Sequence, residues 1–121
     1  MRVSSPDESA RLFEFRGGLR RGLNNATWPD ATLRFDSERL AIHVDGPFMD
    51  DVGIERSRVT ELQSMRGLWS RGLRIQTVDG QLDGVIYWTA PFRHRQVVTA
   101  LRQRGWPVSD RSKWSWLPYG R

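Results

Sequence analysis

From Leu73 to Trp88 large apolar residues alternate with polar ones around Asp79-Gly80, and after Trp88 the period becomes helical. Asp-Gly tolerates the positive φ of a two-residue type I′ turn, so this stretch predicts a β-hairpin turning at those two residues. In that register Val78 pairs with Gln81, Thr77 with Leu82, Ile75 with Gly84 and Leu73 with Ile86. One face then gathers Leu73, Ile75, Leu82, Ile86 and Trp88, and the other carries Arg74, Gln76, Gln81 and Asp83 beside Val78, Val85 and Tyr87. Thr89-Ala90-Pro91 predicts a helix start, with Thr89 as N-cap and Pro91 in the first turn. His94, Val97, Val98 and Leu101 recur at helical spacing, and Gly105 suits the left-handed residue just past the end. Leu101 and Trp106 then take the two positions that meet in a Schellman ending, Pro107 blocks continuation, and Arg102 and Arg104 complement the helix dipole. The helix is expected over about 90–104.

A second hairpin precedes this unit. Ala31, Leu33 and Phe35 alternate with polar residues, as do Leu40, Ile42 and Val44. A turn at Ser37-Glu38 pairs Phe35 with Leu40, Leu33 with Ile42 and Ala31 with Val44, again placing the apolar residues on one face. Residues 1–10 are polar and expected to be loose. Arg11–Arg16 suits a short strand or a turn of helix, and Gly17–Gly22 a glycine-punctuated basic turn. Trp28-Pro29 is expected where a loop enters the first clear strand, and Asp45–Gly53 is a loop by its Gly, Pro and Asp content. Residues 54–65 fit either a short helix or a strand; a strand over Arg58–Ser64 is preferred because hairpins flank it. Met65–Gly72, with Trp69, is another loop.

Composition narrows the class. At 121 residues the chain suits one domain, expected over 11–108, followed by a basic aromatic tail over 109–121 that folds back. It has no cysteine, no apolar run long enough for a membrane helix and no apolar signal core near its start, which together suggest a reducing, cytoplasmic setting. The net charge of +5 is unevenly spread: residues 1–91 carry −1 and residues 92–121 carry +6. Such a one-sided excess is read first as a solvated helix face and a charged tail, and otherwise suits nucleic acid, anionic lipid or an acidic partner.

Chemistry-bearing groups are sparse. The only histidines are His43, on the polar face of a predicted strand, and His94, near the helix's buried stripe. Neither has a metal partner at ligand spacing, and both suit structural roles. Asp50-Asp51 are adjacent carboxylates without the following ligands of a calcium loop. No catalytic constellation and no cofactor motif is present, and no nucleic-acid-binding motif occurs beyond arginines and tryptophans in the tail. The candidate anion- or partner-binding residues are Arg16, Arg20, Arg21 and Arg34 around the glycine-rich segment, Arg93 and Arg95 on the helix, and Trp114 and Trp116 in the tail.

The predicted order, several antiparallel strands and then one amphipathic helix, describes a mainly β (β+α) chain: a small curved sheet or barrel capped by its C-terminal helix. From about Ala31 to Val108 the chain resembles the bacterial PH-like superfamily, which includes GRAM-type domains. The likeness is carried by LRFDSERLAIHV as an early hairpin, GIERSRVTEL as a middle strand, LRIQTVDGQLDGVIYW as a late hairpin and VVTALRQRGWPV as the capping helix. The first 30 residues would supply a further strand. The resemblance implies a non-enzymatic module that binds protein or peptide, with anionic lipid as the alternative ligand. Lipid-binding relatives carry a lysine-rich cluster around the first strand and its loop; Arg16, Arg20, Arg21 and Arg34 are the nearest approach here.

Overall fold

The computed structural model describes residues 12–114 apart from 23, 47–49, 67–70 and 83, with the backbone alone for 110–114. The N-terminal segment, Trp69, Trp116 and the side chain of Trp114 lie outside the described residues. The strands are β1 (Phe13–Arg21), β2 (Asn24–Phe35), β3 (Arg39–Val44), β4 (Val52–Glu55), β5 (Val59–Arg66), β6 (Arg71–Thr77), β7 (Ile86–Thr89) and β8 (Val108–Trp114). Among the described residues one α-helix, α1, spans His94–Gln103. One eight-stranded sheet has the order β4-β3-β2-β1-β7-β6-β5-β8. Its pairs are antiparallel except β5–β8, which run parallel, so the sheet is mixed, and it stays open instead of closing into a barrel.

The β2–β3 hairpin has the register that its alternation dictates. Phe35 faces Leu40, Leu33 faces Ile42 and Ala31 faces Val44, and all six are buried. Asp36 makes its turn: Oδ1 accepts the N–H groups of Glu38 and Arg39 at 2.8 and 2.9 Å, supplying partners that a tight turn leaves without bonds.

The later hairpin differs from expectation by one residue. Leu73 pairs with Tyr87 and Arg74 with Ile86, and residues 78–85 form a longer connection. The Asp79 carboxylate replaces the expected backbone pairing there. It accepts from Gln81 N and Thr77 Oγ1, both at 3.0 Å, and bonds the Arg58 guanidinium. Gly84, at φ +93°, then adds a second reversal before Val85. Because strand side chains alternate, the slip exchanges faces. Val85 and Tyr87 join Leu73 and Ile75 in the main core, while Ile86 and Trp88 join Met65 in a second cluster on the opposite face.

The glycine-punctuated basic segment is no turn. It forms the second half of β1, paired to β2 on one side and to β7 on the other from Gly17 to Arg20. The approach to β7 is close: a Cβ on Gly17 would lie 2.3 Å from Trp88 O and 2.5 Å from Tyr87 Oη. Trp28-Pro29, expected at a loop, falls within β2. The stretch expected to be a loop through Gly53 already becomes β4 at Val52, which packs Val52 and Ile54 against the core. The middle segment is indeed a strand, β5, after a single 3-10 turn at Arg56–Arg58.

Helix α1 starts at His94 and not near 90. The Thr89 hydroxyl donates to Arg71 O across the sheet at 2.9 Å and so does not cap the helix; Ala90–Arg93 form a turn with Phe92 at φ +66°. The far end agrees with the sequence. Trp106 N donates to Leu101 O and Gly105 N to Arg102 O, both at 3.0 Å, with Gly105 at φ +84°: a Schellman ending. Val97, Ala100, Leu101 and Trp106 are buried in the main core, and Val98 packs against it. Trp106 Nε1 donates to Asp36 O at 2.7 Å, which ties the helix end to the β2–β3 turn. Arg56 donates from Nε to Gly105 O at 2.9 Å, and the Arg104 guanidinium lies 4.5 Å over the Phe13 ring.

Candidate functional site

The structure divides the candidate arginines among three places. Arg16 and Arg34 stand on the exposed face of β1 and β2 within an alternating charge network. Arg34 Nε pairs with Glu14 at 2.5 Å, Arg16 lies 3.7 Å from Asp45, and Asp45 lies 3.5 Å from His43 Nε2. His43 Nδ1 faces Asp51 at 2.9 Å, and this hydrogen bond is the main reason the Asp51 carboxyl sits below the usual carboxylate range. Opposite charges are matched along this face. Arg20 and Arg21 lie at the tip of the β1–β2 hairpin, where Arg20 Nε bonds Gly22 O at 3.0 Å. Arg93 and Arg95 lie past the other end of β7, at the start of α1, so the two basic groups are separated by the length of that strand. For the tail, the backbone of residues 108–114 runs beside β5.

His94 sits half-buried at the start of α1 between two hydroxyls. Its Nε2 is 3.2 Å from Ser64 Oγ and its Nδ1 is 3.3 Å from Thr89 Oγ1. Thr89 already gives its proton to Arg71 O, so its oxygen accepts from Nδ1–H and leaves Nε2 to accept from Ser64. Burial, and then the positive charge of Arg71, push the imidazole down to about 4. A serine beside an imidazole has the outline of a nucleophile and its base. Among the described residues no carboxylate orients the ring, and Arg71 opposes the imidazolium that such chemistry would form. The trio suits a neutral structural relay.

This relay predicts a pH dependence. The unfolded imidazole takes a proton near its ordinary 6.5 and the folded one only near 4, so stability is complete above 6.5 and is lost as pH falls towards 4. The full loss is about 3 kcal/mol. Urea unfolding at pH 7 and pH 4.5 should show a steeper decline for the wild type than for His94→Gln; equal declines would contradict the neutral assignment.

What sequence reasoning missed is a surface defined by the packing of β5, β6, β7 and α1. Between Glu61 and Asp79, and again between Asp83 and Asp110, the chain has no acidic residue. These two runs hold β5 from Leu62 onward, the adjoining strands β6 and β7, and the helix. They expose Arg66 and Arg71, a cross-strand pair, together with Arg93, Arg95 and Arg102. The signal lay in the sequence as two separate acid-free runs and gains meaning only when pairing brings them together. Among the described residues no group of three or more His, Asp or Glu is placed to hold a metal ion, and no helix is long and apolar enough to cross a membrane.

No protein-family profile matches the chain, and no curated protein matches it. Solved structures do resemble it. The Spt16D–Pob3N heterodimer structure contains a chain that superposes with a TM-score of 0.60 at 15% identity, over 92% of this chain and 59% of that one. The C-terminal domain of an unknown protein from Leishmania infantum gives a TM-score of 0.55 at 12% identity, over 76% of this chain and 80% of that one. At these identities the likeness is one of fold, and the fold is PH-like: a mainly β sheet with one C-terminal helix.

Proposed function

We propose that this chain is a non-catalytic interaction module of the bacterial PH-like kind, acting in the cytoplasm on an acidic segment of a protein partner. The observation that carries this reading is the acid-free end of the β5–β6–β7–α1 surface, where Arg71, Arg93 and Arg95 are exposed near the helix start. Elsewhere Arg16 and Arg34 already face carboxylates, which leaves that face little net attraction for an anion. The likeness to a chain from a heterodimer supports a protein partner. Exposed ion pairs contribute only about 0.2–1 kcal/mol each, so three or four arginines steer a partner but do not hold it alone. Fluorescence anisotropy with a labelled glutamate-rich peptide tests the reading. Binding should appear at low salt and weaken steeply as ionic strength rises through the physiological range. Absence of peptide binding, together with salt-sensitive sedimentation on phosphatidylserine vesicles, would instead favour an anionic lipid surface.

A further inference from the structure

We infer that the turn between β7 and α1 is the anchor of this interaction, and that Phe92 inserts among apolar side chains of an acidic, amphipathic partner segment. The inference rests on the protein-binding reading above and names the partner's chemistry. Phe92 is strained in backbone and unprotected in side chain. It adopts φ +66°, where a bulky L-residue is an outlier, and its ring is fully exposed. A glycine at this position would relieve the backbone, and a polar residue would be better hydrated. Nothing among the described residues covers the ring, so the return is sought outside the fold. Among the described residues the other large apolar side chains with high exposure, Leu12, Trp28 and Val78, lie elsewhere and are partly covered.

The surroundings define the occupant. Pro91, Phe92, Arg93 and Arg95 are all exposed around the start of the helix, and Arg71 lies beside them, its carbonyl bonded to Thr89 and its charge acting on His94. No acidic residue lies within the first turn of α1. An aromatic knob ringed by guanidinium groups has the composition of an interface hot spot. Its complement is a segment with carboxylates beside large aliphatic groups. A membrane is the weaker complement, because one phenylalanine buries less apolar surface than a single acyl chain, and one such chain holds a protein only marginally.

The test uses two labelled acidic peptides of equal length and charge, one with leucines at helical spacing and one with serines in their place. The wild-type chain should bind the leucine peptide roughly tenfold more tightly. Phe92→Gly should bind both at the level of the serine peptide, while its urea midpoint stays at or above that of the wild type. Phe92→Leu should restore most of the preference. If Phe92→Gly keeps the wild-type preference, or unfolds at lower urea, the anchor is overturned while the acidic-partner reading stands. If neither peptide binds the wild type, both fall. If Phe92→Gly loses only its sedimentation on phosphatidylserine vesicles, the anchor belongs to a membrane and the inference is overturned.

Discussion

Gly17→Ala is expected to cost about 3 kcal/mol or more, enough to prevent folding of a marginal domain. The added Cβ would meet Trp88 O and Tyr87 Oη at 2.3 and 2.5 Å. The carbonyl cannot yield because it belongs to β7, whose four residues are all buried. The phenol cannot swing freely either: Tyr87 is buried and its hydroxyl donates to Phe15 O at 3.3 Å. Gly53→Ala is the matched control, since a Cβ there meets nothing within 4 Å. It should be neutral or stabilise by up to about 1 kcal/mol, as alanine loses less entropy than glycine in a strand. Urea unfolding followed by circular dichroism reads both; a Gly17→Ala chain as stable as the wild type would mean that β1 does not pass β7 in this way.

Trp106→Ala should be the most damaging change on the helix side, at about 3–5 kcal/mol. The indole is buried between the last turn of α1 and the β2–β3 hairpin, and it completes the Schellman ending. Trp106→Phe separates packing from hydrogen bonding. It keeps an aromatic ring but leaves Asp36 O without its donor, and should cost about 1–3 kcal/mol. If Trp106→Phe matches the wild type, the link between helix end and hairpin turn contributes nothing.

What was legible in the sequence, and what was not, follows from the range of the forces involved. The β2–β3 register and the Schellman ending depend on residues close in the chain, alternation in one case and Leu101, Gly105 and Trp106 in the other, and both came through intact. The late hairpin slipped because Asp-Gly also permits an Asp79 side-chain turn, and Arg58, 21 residues earlier in the chain, helps to select it. Helix α1 started late because Thr89, a plausible cap in isolation, finds its partner in Arg71 on the neighbouring strand. The glycines of β1 resembled a turn because the close approach that requires Gly17 comes from β7, about seventy residues away. Of the candidate surface, Arg93 and Arg95 were identified from the helix; Arg66, Arg71 and Phe92 were not, since sheet pairing and one left-handed residue decide their placement.

If the proposed function is right, partner binding belongs to the β5–β6–β7–α1 surface and not to the β1–β2 tip. Binding of the labelled leucine-bearing acidic peptide at low salt, compared between Arg71→Glu/Arg95→Glu and Arg20→Ala/Arg21→Ala variants of equal urea midpoint, tests it most directly. The first pair should abolish binding and the second leave it near wild type; loss in the second pair with retention in the first would place the binding surface at the β1–β2 tip instead.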